Sequence, residues 1–180
     1  MHIAGIKEID VANGPGCRVS IWVSGCDIHC PGCFNPSAWD FNFGEPYDED
    51  CRQRIIEAVN KPYITGVTIL GGEPLHHDNV DDVTDLCSIL RDIFGSTISI
   101  WVYTGYNWRD VRTLAIMDYI DCCVSGPFIE EKKILGEFRG SSNQEFHSRT
   151  YAEPTELDIR KHKKKNKKME VYRRWINGRE

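Results

Sequence analysis

Short apolar runs alternate along the chain with longer amphipathic segments. The apolar runs are rich in β-branched and aromatic residues and predict strands, which lie at residues 18–25, 64–72, 97–105 and 119–126. The segments between them have helical periodicity and predict helices at residues 48–61, 78–95 and 108–118. This alternation predicts an α/β fold with a mostly parallel sheet.

The predicted strands end in glycine-containing turns, and these turns hold the polar residues with possible chemical roles. In β/α barrels, the carboxyl ends of the strands are where active sites are built. A chain of 180 residues is too short for a complete eight-fold barrel. We therefore expect a partial, open β/α barrel.

Composition indicates an ordinary globular protein, with 41% hydrophobic and 27% charged residues. The N-terminal segment carries charges where a signal peptide has an apolar core, and no apolar run approaches the ~20 residues of a membrane span. We therefore expect a cytoplasmic protein without membrane contact. In that reducing compartment, the eight cysteines indicate metal binding or redox chemistry rather than disulfides.

The charge distribution divides the chain near Pro154. Residues 157–180 carry ten Lys or Arg against three Asp or Glu, a local charge of +7, which leaves −12 for the rest. An acidic body with a basic tail is not typical of nucleic-acid-binding domains, so we expect no nucleic-acid partner. We predict a domain at 1–156 and a basic C-terminal extension at 157–180, either disordered or containing a short amphipathic helix at 167–177.

The lysine run in this extension has two interpretations. It is a solvated, mobile segment, as charge runs usually are. The alternative is an electrostatic dock for an acidic surface of a partner, which would speed association at low salt.

Three cysteines lie close together after the first predicted strand. Cys26, Cys30 and Cys33 form the pattern C-x3-C-x2-C, and Pro31 with Gly32 supplies a turn that folds the loop back. The remaining cysteines are interpreted as small buried side chains: Cys17, Cys51, Cys87, Cys122 and Cys123. A metal centre with three protein ligands keeps an open position, which is typical of catalytic rather than structural sites.

The triplet alone leaves three alternatives open. One is an iron–sulfur cluster, although a plain cubane has four cysteine ligands. Another is a zinc site with His29 or a distant histidine as fourth ligand. The last is a set of inert free cysteines.

A second signal is "TILGGEPL" at residues 68–75. Gly71 and Gly72 end a predicted strand, where the missing side chains permit a ligand to approach the backbone. Glu73 follows, and its carboxylate is suited to binding an ammonium group. Taken alone, the segment is more typical of a common strand-to-helix turn that has an acidic residue near the helix start.

Together, the C-x3-C-x2-C and G-G-E motifs resemble those of the radical S-adenosylmethionine superfamily. Further blocks resemble the activating proteins of anaerobic ribonucleoside-triphosphate reductase: "NGPGCR" (13–18), "VSGC…HCPGCFN" (23–35), "GGEPLH" (71–76), "IWVYTGY" (100–106), "VSGPF" (124–128) and "RGSSNQ" (139–144). That family usually has Asp where Ser125 stands, so we assign Ser125 no role.

The resemblance implies that Cys26, Cys30 and Cys33 hold a [4Fe-4S] cluster whose fourth iron binds S-adenosylmethionine. It also implies a set of cofactor contacts around that molecule. Gly71, Gly72 and Glu73 are expected at the methionine ammonium, and Gly32, Cys33 and Phe34 near the nucleoside. Tyr103, Thr104 and Gly105 are candidates for methionine or ribose contacts, although such a strand end is also an ordinary turn.

The implied activity is reductive cleavage of S-adenosylmethionine to methionine and 5′-deoxyadenosine, which generates a glycyl radical on the anaerobic reductase. The implied electron donor is a reduced flavodoxin- or ferredoxin-type protein. Two alternatives remain. One is another small radical S-adenosylmethionine enzyme acting on a small molecule, such as a deazaguanine-type synthase. The other is a zinc-binding module without catalysis.

Overall fold

Seven strands form one open sheet in the computed structural model, which describes residues 1–148. In chain order the strands are β1 (His2–Asp10), β2 (Arg18–Val23), β3 (Glu45–Pro46), β4 (Gly66–Gly71), β5 (Ser99–Thr104), β6 (Cys122–Ser125) and β7 (Glu145–Ser148). The helices are α1 (Glu49–Val59), α2 (Val80–Phe94) and α3 (Trp108–Val111). The spatial order of the strands is β3-β1-β2-β4-β5-β6-β7.

The centre of the sheet confirms the predicted fold class. Strands β2, β4, β5 and β6 are parallel neighbours. Val23 pairs with Gly71, and Thr104 pairs with Ser125, so the carboxyl ends of adjacent strands lie side by side. The loops that follow these strands therefore meet at one edge of the sheet, as in a partial β/α barrel.

Three antiparallel strands that the sequence pattern did not predict extend this centre. β1 joins β2 and also pairs with β3, while β7 joins β6 at the other edge. Only Ile3 and Asp10 are buried in β1, and β3 has two residues. Such partly exposed or very short strands lack the continuous apolar run by which buried strands are recognised.

The predicted helices at 48–61 and 78–95 are confirmed as α1 and α2, which cover one face of the sheet. The Asp48 carboxylate caps α1 by accepting the Cys51 N–H at 2.9 Å. Gly95 ends α2 with φ at 55°, a conformation that favours glycine. The buried apolar face of these helices packs on alternate β2 residues, among them Val19 and Ile21.

The predicted helix at 108–118 is wrong as a single element. Helix α3 ends at Val111, and a separate 3₁₀ turn spans Ala115–Asp118. Leu114 between them adopts an extended conformation with ψ at 144°, which interrupts the helical hydrogen-bond series. Because of the interruption, each element buries one apolar side chain: α3 buries Val111, and the 3₁₀ turn buries Ile116.

The opposite, concave face of the sheet buries the guanidinium of Arg18. This side chain is 0% exposed and donates five hydrogen bonds, to Thr68 Oγ1, Pro15 O, Val67 O, and both Oγ and O of Ser99. Its charge also lies 5.4 Å from the centroid of the Trp101 ring. Burial lowers the pKa of Arg18 to about 10.

The buried Arg18 side chain explains Gly14 of "NGPGCR". A Cβ at Gly14, whose φ is 134°, would lie 2.8 Å from Arg18 Nε. Gly66 at the start of β4 approaches the same guanidinium from the other side. Both positions therefore leave room for the buried arginine.

The predicted domain boundary at residue 156 and the predicted tail helix at 167–177 lie outside the described residues. Within residues 1–148, every helix is too short or too polar to cross a membrane.

We expect Arg18→Lys to destabilise the protein strongly. Lysine has one nitrogen and cannot reach the acceptors that surround the planar guanidinium. Each hydrogen bond to a charged group is worth roughly 1.5–3 kcal/mol, so the loss of two predicts a free energy of unfolding lower by about 3 kcal/mol or more. Denaturant unfolding measures this loss. The matched control is Arg54→Lys, at an exposed arginine paired with Glu45, which should leave stability nearly unchanged; equal effects at both positions would contradict the prediction.

Candidate active site

A cavity of about 340 Å³ lies on the concave side of the sheet and reaches the carboxyl ends of β2, β4 and β5. Every residue that the resemblance implies as a cluster ligand or cofactor contact lines this cavity, whereas His29, named as a possible fourth zinc ligand, does not. The set comprises Cys26, Cys30, Gly32, Cys33, Phe34, Gly71, Gly72, Glu73, Tyr103, Thr104 and Gly105. Because β2, β4 and β5 are parallel neighbours, their carboxyl ends and the loops that follow bring these residues together.

The cysteine loop, residues 26–33, turns back on itself and brings backbone N–H groups close to its sulfurs. The Cys33 N–H donates to Cys30 O at 3.1 Å, and Gly32 between them has φ at 73°. Burial raises the pKa of the Cys26 thiol, and the backbone N–H groups of Ile28 and His29 partly oppose that rise. Such donors stabilise a thiolate, the form that binds metals.

The spacing of the sulfurs bears on the kind of metal centre. Zinc holds its sulfur ligands at ~2.3 Å and therefore draws them close together. Among residues 1–148, the one set of three metal-ligand atoms all within 4.8 Å of one another is His76, His77 and Asp78, and the three cysteine sulfurs form no such set. A cluster of several irons does not require its three cysteine sulfurs to lie that close, so their spacing is consistent with the cluster that the resemblance implies.

Glu73 is fully buried at the junction of β4 and β5. Its Oε1 accepts the Leu75 N–H at 2.9 Å and the Thr104 hydroxyl at 2.7 Å, and its Oε2 accepts the Gly105 N–H at 2.7 Å. Burial nevertheless raises the pKa of Glu73 to about 7. A carboxylate oxygen has two lone pairs, so Oε2 keeps the capacity to accept one cationic N–H from the cavity.

Gly71 and Gly72 line the cavity, and the structure gives a further reason for glycine at both positions. A Cβ at Gly71 would lie 2.6 Å from Val23 O, and one at Gly72 would lie 2.5 Å from Gly25 O. Their missing side chains therefore permit close packing of backbone against backbone. The Gly72 and Glu73 N–H groups donate to the same two carbonyls, each at 2.7 Å, which ties this strand end to the start of the cysteine loop.

The other predicted contacts occupy different positions in the cavity. The Tyr103 hydroxyl donates to Phe138 O at 2.6 Å, and the Thr104 hydroxyl bridges Glu73 and the Tyr106 N–H. A Cβ at Gly105 would lie 2.5 Å from the Ile28 side chain. Phe34 is 79% exposed and stands at the rim of the cavity.

The cysteines outside the triplet do not line this cavity. Burial is confirmed for Cys51, Cys87, Cys122 and Cys123, while Cys17 is only partly buried and packs against the core. Ser125 also lies elsewhere, where its hydroxyl is 2.9 Å from His147 Nε2. The His147 ring stacks on Trp108 with centroids 4.0 Å apart.

Several cavity residues were missed because they come from segments to which the sequence analysis assigned no role. They are Asn13, Trp39, Phe128, Phe138 and Gln144. Three of these belong to the blocks "NGPGCR", "VSGPF" and "RGSSNQ", so the resemblance contained a signal for them. Phe128, Phe138 and Gln144 reach the cavity wall through the folding of the chain between β6 and β7.

The fold and the three-cysteine loop define a single-cluster iron–sulfur domain of the radical S-adenosylmethionine type. The family model described as "4Fe-4S single cluster domain" matches residues 12–147.

Similar proteins specify the group more narrowly. The chain is 33% identical over 150 residues to the anaerobic ribonucleoside-triphosphate reductase-activating protein of Enterobacteria phage T4, covering 83% of this chain and 96% of that protein. It is 38% identical over 145 residues to the protein of the same name from Escherichia coli (strain K12), covering 77% and 93%. The chain belongs to the family of anaerobic ribonucleoside-triphosphate reductase-activating proteins.

We expect Cys26→Ala, Cys30→Ala and Cys33→Ala each to lower bound iron and abolish reductase activation, because each removes one of the three expected cluster ligands. Iron analysis after anaerobic purification measures the first effect. Cys51→Ala and Cys122→Ala are the matched controls, because these buried thiols lie outside the cavity. A Cys122→Ala protein that lost its iron would refute the three-ligand assignment.

Proposed function

We propose that this chain activates an anaerobic ribonucleoside-triphosphate reductase by generating a glycyl radical on it. The observation that carries the proposal is that the cysteine triplet and the segment Gly71–Glu73 line one cavity, in a chain belonging to a family of reductase-activating proteins. When bound there, a reduced [4Fe-4S] cluster and S-adenosylmethionine supply methionine and a 5′-deoxyadenosyl radical, which takes a hydrogen atom from a glycine Cα of the reductase.

The residues of the chain position these groups rather than act as acids or bases. Cys26, Cys30 and Cys33 would hold the cluster and leave one iron free for S-adenosylmethionine. Glu73 Oε2 would accept an N–H of the methionine amino group, and such a hydrogen bond favours the ionised form of this buried carboxyl. Holding the reacting groups in a fixed geometry away from water is the main protein contribution to such chemistry.

The rim of the cavity supports a macromolecular substrate over a small free molecule. Phe34 is largely exposed, and Lys133 at the same cavity is exposed too. A small-molecule site normally encloses most of its ligand. An open rim instead gives a segment of a partner protein access to the interior, which favours the reductase over the small-molecule alternative.

Two finer expectations stay predictions. The electron donor is expected to be a reduced flavodoxin- or ferredoxin-type protein, because cleavage of the sulfonium requires one external electron. The cytoplasmic location expected from the sequence would place the chain beside such donors.

The test combines the anaerobically purified protein, the reductase, S-adenosylmethionine and a strong reductant. We expect a glycyl-type doublet in the electron paramagnetic resonance spectrum, with 5′-deoxyadenosine formed alongside it. Omitting S-adenosylmethionine is the control and should leave no doublet. A reduced cluster that responds to S-adenosylmethionine without producing the doublet would favour the small-molecule enzyme, and a colourless protein with one zinc would favour the binding module.

We expect Glu73→Gln to weaken S-adenosylmethionine binding at least tenfold while the cluster is retained. A hydrogen bond to a charged group is worth roughly 1.5–3 kcal/mol, and about 1.4 kcal/mol corresponds to tenfold in affinity. Binding is measured by the change in the cluster spectrum on titration.

Because Glu73 also accepts three internal hydrogen bonds, Glu73→Gln needs a structural control. Thr104→Val removes one of these bonds without changing charge, and should weaken binding much less than Glu73→Gln does. Equal weakening by the two variants would show that packing, rather than the carboxylate charge, governs binding.

A further inference from the structure

The turn between β4 and α2 brings the side chains of three consecutive residues together. His76 O accepts the N–H groups of Asn79 and Val80, both at 2.8 Å, so the chain reverses direction here. One ligand atom each from His76, His77 and Asp78 lie within 4.8 Å of one another, the one such group of three in the part of the chain that the structure describes. Two imidazoles and one carboxylate are a common ligand set for zinc and for iron.

The Asp78 carboxylate lies against both imidazole rings. Its Oδ1 is 3.2 Å from His77 Nε2, and its Oδ2 is 3.6 Å from His76 Nδ1. The centroids of the two rings are 4.1 Å apart. Zinc holds nitrogen and oxygen ligands at ~2.0–2.2 Å in a tetrahedral arrangement, which separates neighbouring ligand atoms by about 3–3.5 Å. The two distances from Asp78 are therefore close to those between ligands of one ion.

Hydrogen bonding indicates which nitrogen of His76 carries the proton. The Asp78 N–H donates to His76 Nδ1 at 3.2 Å, so Nδ1 has the lone pair and the proton is assigned to Nε2. An ordinary ion pair between His77 and Asp78 would explain the 3.2 Å distance of that pair. It would still leave the lone pairs of His76 Nδ1 and Asp78 Oδ2 facing each other without a proton between them. A metal ion that replaced the Asp78 N–H at Nδ1 would satisfy both atoms.

The other nitrogen of His76 faces a second carboxylate. Nε2 lies 3.9 Å from Asp27 Oδ2, and Asp27 Oδ1 accepts the Tyr106 hydroxyl at 2.9 Å. The His76 ring is buried and packs against Phe41 with centroids 4.7 Å apart. A histidine that binds a metal usually directs its other nitrogen at a carboxylate, a carbonyl or water, which fixes the ring and its tautomer. The surroundings of His76 therefore support a ligand role independently of the three ligand atoms themselves.

We propose that His76, His77 and Asp78 bind a divalent transition-metal ion, for which zinc is the probe. Imidazole and carboxylate ligands without sulfur suit zinc and its neighbours in the first transition row. The side chains of His77 and Asp78 are 82% and 59% exposed, so an ion can enter from solvent. Three protein ligands also leave a position for water or for a group of a partner.

The proposed site is separate in its ligands from the cysteine triplet. It lies in the turn that also carries Glu73, whose carbonyl accepts the His76 N–H at 3.2 Å. A bound ion would therefore stabilise the turn that presents the Glu73 carboxylate to the cavity. The inference goes beyond the proposed function and does not rest on it.

The test is zinc binding to the full-length protein, purified anaerobically with iron on its cysteines. Equilibrium dialysis followed by metal analysis measures the zinc taken up per chain, and we expect one equivalent. Losing a partner that only orients a metal ligand costs about 10–100-fold in affinity. His77→Ala and Asp78→Asn each remove a direct ligand and should weaken zinc binding by about a hundredfold or more. Both side chains are exposed, so we expect both variants to fold, which circular dichroism checks.

The matched control is Asp81→Asn, which removes the same charge from an exposed residue in the first turn of α2. This variant should bind zinc as tightly as the wild type does. X-ray absorption at the zinc edge provides a second measurement. We expect nitrogen and oxygen ligands at ~2.0–2.2 Å and no sulfur at ~2.3 Å.

Three results would each overturn the inference. They are a wild type that takes up no zinc, zinc with sulfur ligands, and equal zinc affinity in the wild type, His77→Ala and Asp78→Asn. The proposed function fails on different measurements, namely the absence of an iron–sulfur cluster or of the glycyl doublet. The two failures are therefore distinguishable.

Discussion

The buried carboxylate of Glu73 joins the strand ends from which the cavity is built. Its two oxygens accept hydrogen bonds from Leu75, Thr104 and Gly105, and so connect the end of β4 to the end of β5. The Glu73 N–H donates to Gly25 O, which connects the same residue to the cysteine loop. A buried carboxylate is costly unless it is well bonded, and these bonds together hold three separate loops in one arrangement.

The cysteine loop depends on this junction because little of it is regular structure. Asn79 at the start of α2 donates to Ser24 O at 2.9 Å and to Glu73 O at 3.0 Å. Glu130, from the chain between β6 and β7, also packs against this loop, since a Cβ added at Gly32 would lie 2.5 Å from Glu130 Oε2. A loop held by both contacts presents its sulfurs in a defined geometry, as a site that positions a bound group requires.

The opposite end of the concave face is held by a different polar network. Asp10 is buried and accepts bonds from Ser20 and Asn13, both at 2.6 Å. Burial would raise the pKa of Asp10, but its hydrogen bonds together lower it to about 2. Thr68 links this network to the buried Arg18, since its hydroxyl donates to Asn13 O and accepts from Arg18 Nε. This end of the concave face is therefore polar and cross-linked by hydrogen bonds, while much of the cavity wall near the cysteine loop is apolar and aromatic.

The sequence by itself determined the parallel α/β centre, because buried strands and amphipathic helices have periodicities that neighbours do not alter. It also located the cavity residues from the cysteine triplet to Gly105, since each lies at the carboxyl end of a strand or in the loop after it, and these ends share one edge of the sheet. Only the tertiary structure decided that Gly71 and Gly72 make room for backbone and that Arg18 is buried among neutral acceptors. Those contacts join residues far apart in the chain, and local pattern contains no information on which distant groups will meet once the sheet has formed.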